Sequence, residues 1–512
     1  MRLEPLCCFM LPHTRRSKPM RVAVVGAGIG GLVSAIQLAH AGHTVDVFEQ
    51  GPRVGGKCNV SEFDGCSFET GPTLLTMPFV LDDVFRRVGR RREDYIKLHR
   101  VNPACQYRWS DGSRLDMPFE LEDVISAIEG FAPGAGVNAR AYLEHAREVY
   151  EMTKDVFIFS PFDGFMEFLK PRNLGMLPRL HRLRFASTLH RHNASYFTDK
   201  RLLQLFDRFA TYNGSNPFKA PATLMVIPWV EIGFGAWYPE GGMYSIVRGL
   251  EKLAIECGVN ISTECRVRSI EHAGKRATGI LLDNDTRVAC DHVVSNADVY
   301  VTQKHLLGLP VREPRDLSCS GVVIQASVDV QSFGLAHHNI FFADDYEREF
   351  RVLENGRHHD SKATMYVSRS CAADGSLAAE GRENWFILMN APPNGVSAHL
   401  DGSAGSHWNG HDEHIVASAV QRLHDFGISP SIREYRIRTP DTMATQWSSF
   451  RGALYGASSN SPLSAFLRPR QKSLDLENLW YVGGSAHPGG GIPLVATSGM
   501  ISADLIIESS SL

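Results

Sequence analysis

No run of 18 or more consecutive apolar residues occurs anywhere in this 512-residue sequence, so no transmembrane helix is expected. Ten cysteines are scattered along it, and none forms a Cys-x-x-Cys pair. That pattern excludes a redox-active dithiol and a zinc site, and points to a reducing, cytoplasmic setting. Charge of one sign is also lacking: 53 Lys and Arg against 56 Asp and Glu leave a net −3, which gives no reason to expect nucleic acid as a partner. Apolar residues make up 43% and charged ones 21%, enough for a large core, and the length suits two or three domains. Residues 1–19 fit no fold pattern. The apolar stretch 6–11 is too short for a signal-peptide core, and Arg15, Arg16 and Lys18 follow it instead of preceding it. A disordered extension or an over-called start before Met20 is expected, with Cys7-Cys8 as a lipidation pair the alternative.

Glycine gives the strongest local signal. Residues 22–25 are β-branched or small and end at a turn, as a buried parallel strand should. Gly26-x-Gly28-x-x-Gly31 follows at dinucleotide spacing. Gly26 permits the tight turn, Gly28 lets backbone N–H groups approach a pyrophosphate, and Gly31 lets the helix pack close to the strand. The helix is expected over about residues 30–41, with the pyrophosphate at its N-terminus. Gly42 ends it as a left-handed cap. Residues 44–48 give a second strand, closed by Glu49, 18 positions past Gly31. An acid there accepts hydrogen bonds from a ribose diol and disfavours a 2′-phosphate, so FAD or NAD fits better than NADP. Gly55-Gly56-Lys57, just after Arg53, resembles the second glycine pair of the large flavoprotein oxidoreductase superfamily, and that resemblance favours FAD over NAD.

Further along, residues 79–88 read as an amphipathic helix, and residues 106–117 as a hairpin around Asp111-Gly112. Residues 121–212 carry a helical period. Within them, residues 156–169 hold five phenylalanines, and residues 168–198 hold six Lys or Arg, three His and no acid. An aromatic stretch beside a basic one fits a helix at an anionic membrane surface, or a core helix followed by a solvated basic face. Residues 259–262, 266–271 and 279–282 read as strands. His337-His338 and His358-His359 lack helical ligand spacing and a third ligand, so they are read as loop histidines and no metal site is expected. Residues 391–411 read as a long loop. Near the end, a hydrophobic strand runs into Gly483-Gly484-Ser485-Ala486-His487-Pro488-Gly489-Gly490-Gly491-Ile492-Pro493 and then into a helix. Such a helix start can stabilise negative charge on a reduced flavin.

The two terminal motifs, with Gly71-Pro72-Thr73, residues 208–217, 240–243, 338–344 and 452–456, make the chain resemble the bacterial carotenoid desaturase family. The likeness spans residues 21–506, and the internal stretches look more like the hydroxyneurosporene and diapophytoene branches. The resemblance implies an α/β fold: a Rossmann-like FAD-binding domain interleaved with a mixed-sheet substrate domain and a helical lid, as in amine oxidases and flavin monooxygenases. It assigns residues 20–75, 225–305 and 470–512 to the FAD domain. Residues 76–125 and 306–469 fall to the substrate domain, and residues 126–224 to the helical, membrane-docking region. Carried over by position, Gly26, Gly28, Gly30, Gly31, Glu49, Gly55, Gly56 and Lys57 bind FAD. Val267 meets the adenine through its backbone, and Gly483, Gly484, Gly490 and Ile492 hold the ribityl and flavin side. Related flavoproteins place an acid where this chain has Ser485.

The same resemblance implies a desaturase that removes two hydrogens from adjacent carbons of an acyclic carotenoid precursor. Flavin N5 takes one as hydride, and a base or water takes the other as a proton. The electrons then leave to oxygen or a quinone. His487 is the candidate base, read first as a turn histidine under the flavin rim. A carotenoid oxygenase or isomerase would share these motifs. So would a prenyl-binding escort protein without redox chemistry, against which Glu49 and the 489–493 string argue. A lipid-soluble polyene implies an enzyme peripherally attached to the membrane.

Overall fold

The computed structural model describes residues 18–162, 164, 167, 170–311, 313–314, 316–356, 362–393, 412–461 and 468–510. Most of the N-terminal extension, His358-His359 and most of the 391–411 loop lie outside them. Strand β1 (Arg21–Val25), helix α1 (Ile29–His40) and strand β2 (Thr44–Phe48) open the chain. Gly42, at φ +94°, follows α1 in the left-handed region that few other residues adopt. β1 pairs in parallel with β2 on one side and with His292–Ser295 on the other. Asn260–Ser262 extends the sheet beyond β2, and Leu479–Tyr481 extends it beyond His292–Ser295. One five-stranded parallel sheet therefore collects strands from three distant stretches of chain. Val22, Val24, Val45 and Val47 are fully buried, as expected of a parallel sheet covered on both faces.

Helix Ile492–Ser510 packs against α1. Gly30 and Gly499 make the close crossing possible: a Cβ on Gly499 would lie 2.5 Å from the Gly30 carbonyl oxygen. The window Ile492–Ser509 has a mean hydropathy of 1.3, long and apolar enough to cross a membrane, but 67% of it is buried inside the fold. Its apolarity is explained by packing.

The second sheet is mixed and seven-stranded. Its order is Ile432–Arg438, Ser320–Asp329, Arg382–Ala391, Met365–Arg369, His338–Phe341, Cys105–Arg108 and Arg114–Met117. Only the pairing of His338–Phe341 with Cys105–Arg108 is parallel. Cys105–Arg108 and Arg114–Met117 form the hairpin read from Asp111-Gly112. Helices Leu121–Phe131, Ala135–Thr153, Lys200–Arg208 and Val226–Phe234 lie over this end of the sheet and share a core with the hairpin. A small antiparallel sheet, Val267–Ala273, Arg276–Leu282 and Arg287–Ala289, flanks the parallel one.

One reading needs correction. His338 opens strand His338–Phe341 and is no loop residue; His337, in the bend just before it, is buried as well, and no metal-binding cluster exists among the described residues. In the aromatic stretch, regular helix stops after one irregular turn, Lys154–Ile158. Val156 and Phe162 are buried there against Phe157, Met176 and Leu180, while Phe165 and Phe168 lie outside the described residues. The basic residues that follow, Arg179, Arg182 and Arg184, are exposed.

Candidate active site

A single cavity of about 910 Å³ runs from the C-terminal edge of the parallel sheet to the inner face of the mixed sheet. At one end it is lined by Gly26, Gly28, Gly30, Glu49, Gly55, Gly56, Lys57, Val267, Gly483 and Gly484, and further in by His487, Gly490 and Ile492. Gly31 does not line it. A Cβ on Gly31 would lie 2.3 Å from the Gly26 carbonyl oxygen, so Gly31 lets α1 approach β1 and shapes the turn from behind.

The cradle is backbone. Gly28 caps α1 without any side-chain hydrogen bond, which leaves the first-turn N–H groups directed at the cavity. The Gly55 N–H donates to Ala27 O at 2.8 Å, which seats the second glycine pair on the first turn. A Cβ on Gly56 would lie 3.5 Å from the Gly28 Cα. The Glu49 carboxylate ends β2 with one oxygen accepting from Ala27 N at 2.9 Å and the other from Gly51 N at 2.8 Å. A carboxylate offers about four acceptor positions, so this fixed group retains capacity for a ribose diol. An anion-binding helix start, an acid at the end of β2 and a cradle free of side chains fit the diphosphate and ribose of FAD.

Asn296 is a residue the sequence reading passed over. It follows strand His292–Ser295, and its side chain is wedged between the two glycine motifs. Cβ atoms on Gly28 and Gly483 would lie 2.5 and 2.8 Å from its amide nitrogen and oxygen. Lys57 reaches across the cavity and donates to Leu454 O at 2.8 Å. Burial pushes its ammonium below the usual lysine range, opposed by the charge of Asp298, while burial pushes the Asp298 carboxyl up. The Ser485 hydroxyl accepts from Val299 N at 3.0 Å.

The C-terminal glycine turn is held by Arg468. Its guanidinium is buried and donates to Tyr455 O at 2.9 Å, Gly484 O at 3.2 Å and Asn213 Oδ1 at 3.0 Å. Burial lowers its pKa to about 10, so it stays charged at neutral pH. Arg468→Met would strand three buried acceptors. It is expected to cost about 3 kcal/mol or more, since hydrogen bonds to charged groups contribute roughly 1.5–3 kcal/mol each. Chemical denaturation of the flavin-loaded protein measures this, and an unchanged midpoint would contradict the assignment. Beside this turn, His487 is 4% exposed, and its Nε2–H donates to Ser160 O at 3.0 Å with the ring 6.0 Å from Phe162.

Deeper in, the lining becomes apolar, with Phe157, Ile227, Val230, Val323, Ile340, Phe386 and Leu388 among it. A few buried polar groups interrupt it: Arg208, Tyr212, Glu231, His338 and Tyr366. Arg208, Tyr212 and His338 fall in stretches that carry the family resemblance, but the sequence assigned none of the five a role in the site. They come from helices and strands far apart in the chain, and no local motif brings them together.

These features define a flavin-dependent oxidoreductase. The chain belongs to the flavin containing amine oxidoreductase family, whose model matches residues 29–507, and its cofactor is FAD. It is 32% identical over 500 residues to a 1-hydroxycarotenoid 3,4-desaturase of Flavobacterium sp. (strain P99-3), covering 96% of this chain and 100% of the relative. It is 31% identical over 495 residues to a 4,4′-diapolycopene oxygenase of Methylomonas sp., covering 95% and 98%. Among solved structures, an oxidoreductase from Methanosarcina mazei shares the fold, with a TM-score of 0.62 and 18% identity over 94% of this chain and 99% of that one.

Proposed function

We propose that this protein is an FAD-dependent desaturase that introduces C=C bonds into an acyclic carotenoid precursor such as phytoene, diapophytoene or a hydroxycarotenoid. The observation that carries the reading is the continuity of the cavity: a polar glycine cradle for the dinucleotide opens into an apolar, aromatic-lined space beyond the His487–Ile492 turn. The similarity to a carotenoid desaturase supports the same reading. Bound FAD supplies a two-electron acceptor. The chain's own residues orient the polyene along the apolar lining and exclude water from it. Oxygen or a quinone serves as the final acceptor in this proposal.

The similarity to a carotenoid oxygenase favours a second reading, in which the same site oxidises a terminal carbon. Expression in cells that make phytoene, diapophytoene or hydroxyneurosporene, with pigments analysed by mass, separates the two. A loss of two hydrogens per new double bond supports the desaturase. An added oxygen at constant unsaturation supports the oxygenase, and unchanged pigments in cells holding flavin-loaded protein contradict both.

The proposal includes docking at the inner face of a membrane, because the substrate is dissolved in lipid. The candidates for docking are the aromatic stretch 156–169 and the basic segment 170–192, and charge reversal tests the basic segment. Arg179, Arg182 and Arg184 lie exposed there, with Glu148 3.8 Å from Arg182. Changing all three to Glu is expected to lower binding to anionic liposomes at least tenfold, since each basic residue contributes about 1 kcal/mol near such a surface. Salt should weaken the unmodified protein in the same assay. Equal binding at low salt would remove this segment from the account.

A further inference from the structure

One group in the apolar half of the cavity is out of character with a hydrocarbon ligand. Arg208 ends helix Lys200–Arg208, is 9% exposed and lines the cavity, yet its guanidinium makes no hydrogen bond or ion pair with any described residue. Its Nη1 is buried without a partner. Aromatic faces surround it, with the Tyr212 ring centroid at 5.2 Å and that of Tyr107 at 5.8 Å. A buried guanidinium stays protonated, and leaving its donors unmatched is costly.

Two other buried polar groups share this end. Glu231, 4% exposed, accepts the Tyr212 hydroxyl proton in a hydrogen bond, and the charge of Arg208 acts on it. His338, 2% exposed, is hydrogen-bonded through Nδ1 to the Tyr366 hydroxyl at 2.7 Å, and Tyr366 in turn to Thr73 Oγ1 at 2.7 Å. The His338 Nε2 is buried without a partner. Burial, followed by the charges of His337 and Arg208, pushes the His338 imidazolium well below its usual pKa, so the ring is neutral. The hydroxyls of Thr223 and Tyr346, which line the same cavity, are also unpartnered. Such a cluster is expected to have a partner that brings its own polar atoms.

We propose that Arg208, Glu231 and His338 form a subsite that hydrogen-bonds a hydroxyl group at one end of an otherwise apolar substrate chain. A carboxylate is disfavoured because it would meet the Glu231 carboxyl. A ketone accepts but cannot donate, so it would satisfy Arg208 and leave the acceptors of Glu231 unused. A hydroxyl does both, and it serves His338 in either tautomer: it donates to a bare Nε2 or accepts from a protonated one. The remainder of the chain then lies along Ile340, Val323, Phe386 and Leu388. The subsite rests on the desaturase reading above and narrows its substrate to hydroxylated acyclic carotenoids.

The test compares a 1-hydroxylated acyclic carotene with the hydrocarbon of the same length and unsaturation. Both are presented in liposomes to the flavin-loaded enzyme, which is followed by anaerobic flavin reduction. The unmodified enzyme should favour the hydroxylated compound by about tenfold to a hundredfold in kcat/KM, the range set by one hydrogen bond to a charged group. Arg208→Met and Tyr366→Phe should bring that ratio toward one by slowing the hydroxylated compound while moving the hydrocarbon less than about threefold. Tyr366→Phe removes only the hydroxyl that orients His338, so it keeps the test available if the arginine variant does not fold. No discrimination by the unmodified enzyme, or equal slowing of both compounds by Tyr366→Phe at full flavin content, would overturn the subsite. Equilibrium binding, read by quenching of tryptophan fluorescence, separates this from failure of the desaturase reading. Tighter binding of the hydroxylated compound without flavin reduction would keep the subsite and remove the desaturase.

Discussion

Glu49→Arg is expected to purify without FAD. The native carboxylate accepts from Ala27 N and Gly51 N while buried at the end of β2, so its loss strands two backbone donors. Each unsatisfied buried donor costs about 1–3 kcal/mol. The arginine also places a cation and a bulky fork where the ribose diol needs an acceptor. Together these exceed roughly 2.7 kcal/mol, which is a hundredfold in affinity. Glu49→Gln keeps one oxygen acceptor and should show a smaller loss. Gly28→Val attacks the neighbouring wall of the same site: its Cβ would sit 2.5 Å from the Asn296 amide nitrogen and displace the side chain that joins the two glycine motifs. The measurement is the ratio of flavin to protein absorbance after purification, with added FAD titrated back. A full flavin complement in Glu49→Arg would mean that the dinucleotide does not use the Gly26–Glu49 unit.

The dinucleotide half of this site was legible in the sequence because its signals are local. Gly26, Gly28 and Gly31 are set by a turn and a helix crossing within six residues, and Glu49 by the length of α1 plus β2. The Gly483-Gly484 pair was legible for the same reason, as a strand running into a glycine turn. Asn296 was not: its role lies in filling the gap between two motifs more than 450 residues apart, and nothing in its neighbours announces that. The joint role of Arg208, Glu231 and His338 was hidden more deeply. Each sits in an ordinary amphipathic helix or alternating strand, and only the packing of helices over the mixed sheet turns them into one cavity. The aromatic stretch after residue 156 is ambiguous in another way. Phenylalanines beside arginines satisfy a membrane-surface pattern and a buried turn equally well, and tertiary contacts give burial at Val156 and Phe162 alone.

Gly490→Val is expected to abolish the proposed desaturation while His487→Ala leaves most of it. A Cβ on Gly490 would lie 2.0 Å from Cδ1 of Tyr455, whose ring also lines the cavity, so either the ring or the turn must move. The turn cannot move freely, because Arg468 ties Gly484 O to Tyr455 O. A shift of about 1 Å between reacting atoms can cost on the order of a hundredfold in rate. His487 differs in kind. Its Nε2 carries a hydrogen that is donated to Ser160 O, so that nitrogen cannot take a proton from substrate without breaking a buried hydrogen bond. Losing a true general base typically costs a hundredfold to ten-thousandfold. His487→Ala should instead lower the rate by less than about tenfold and show its main effect in stability, through the lost hydrogen bond and packing on Phe162. Single-turnover flavin reduction by an acyclic carotene under anaerobic conditions, normalised to bound flavin, compares the two variants directly. Should His487→Ala be the inactive protein while Gly490→Val reduces its flavin at the normal rate, the roles reverse: the histidine is the base and the glycine turn a bystander.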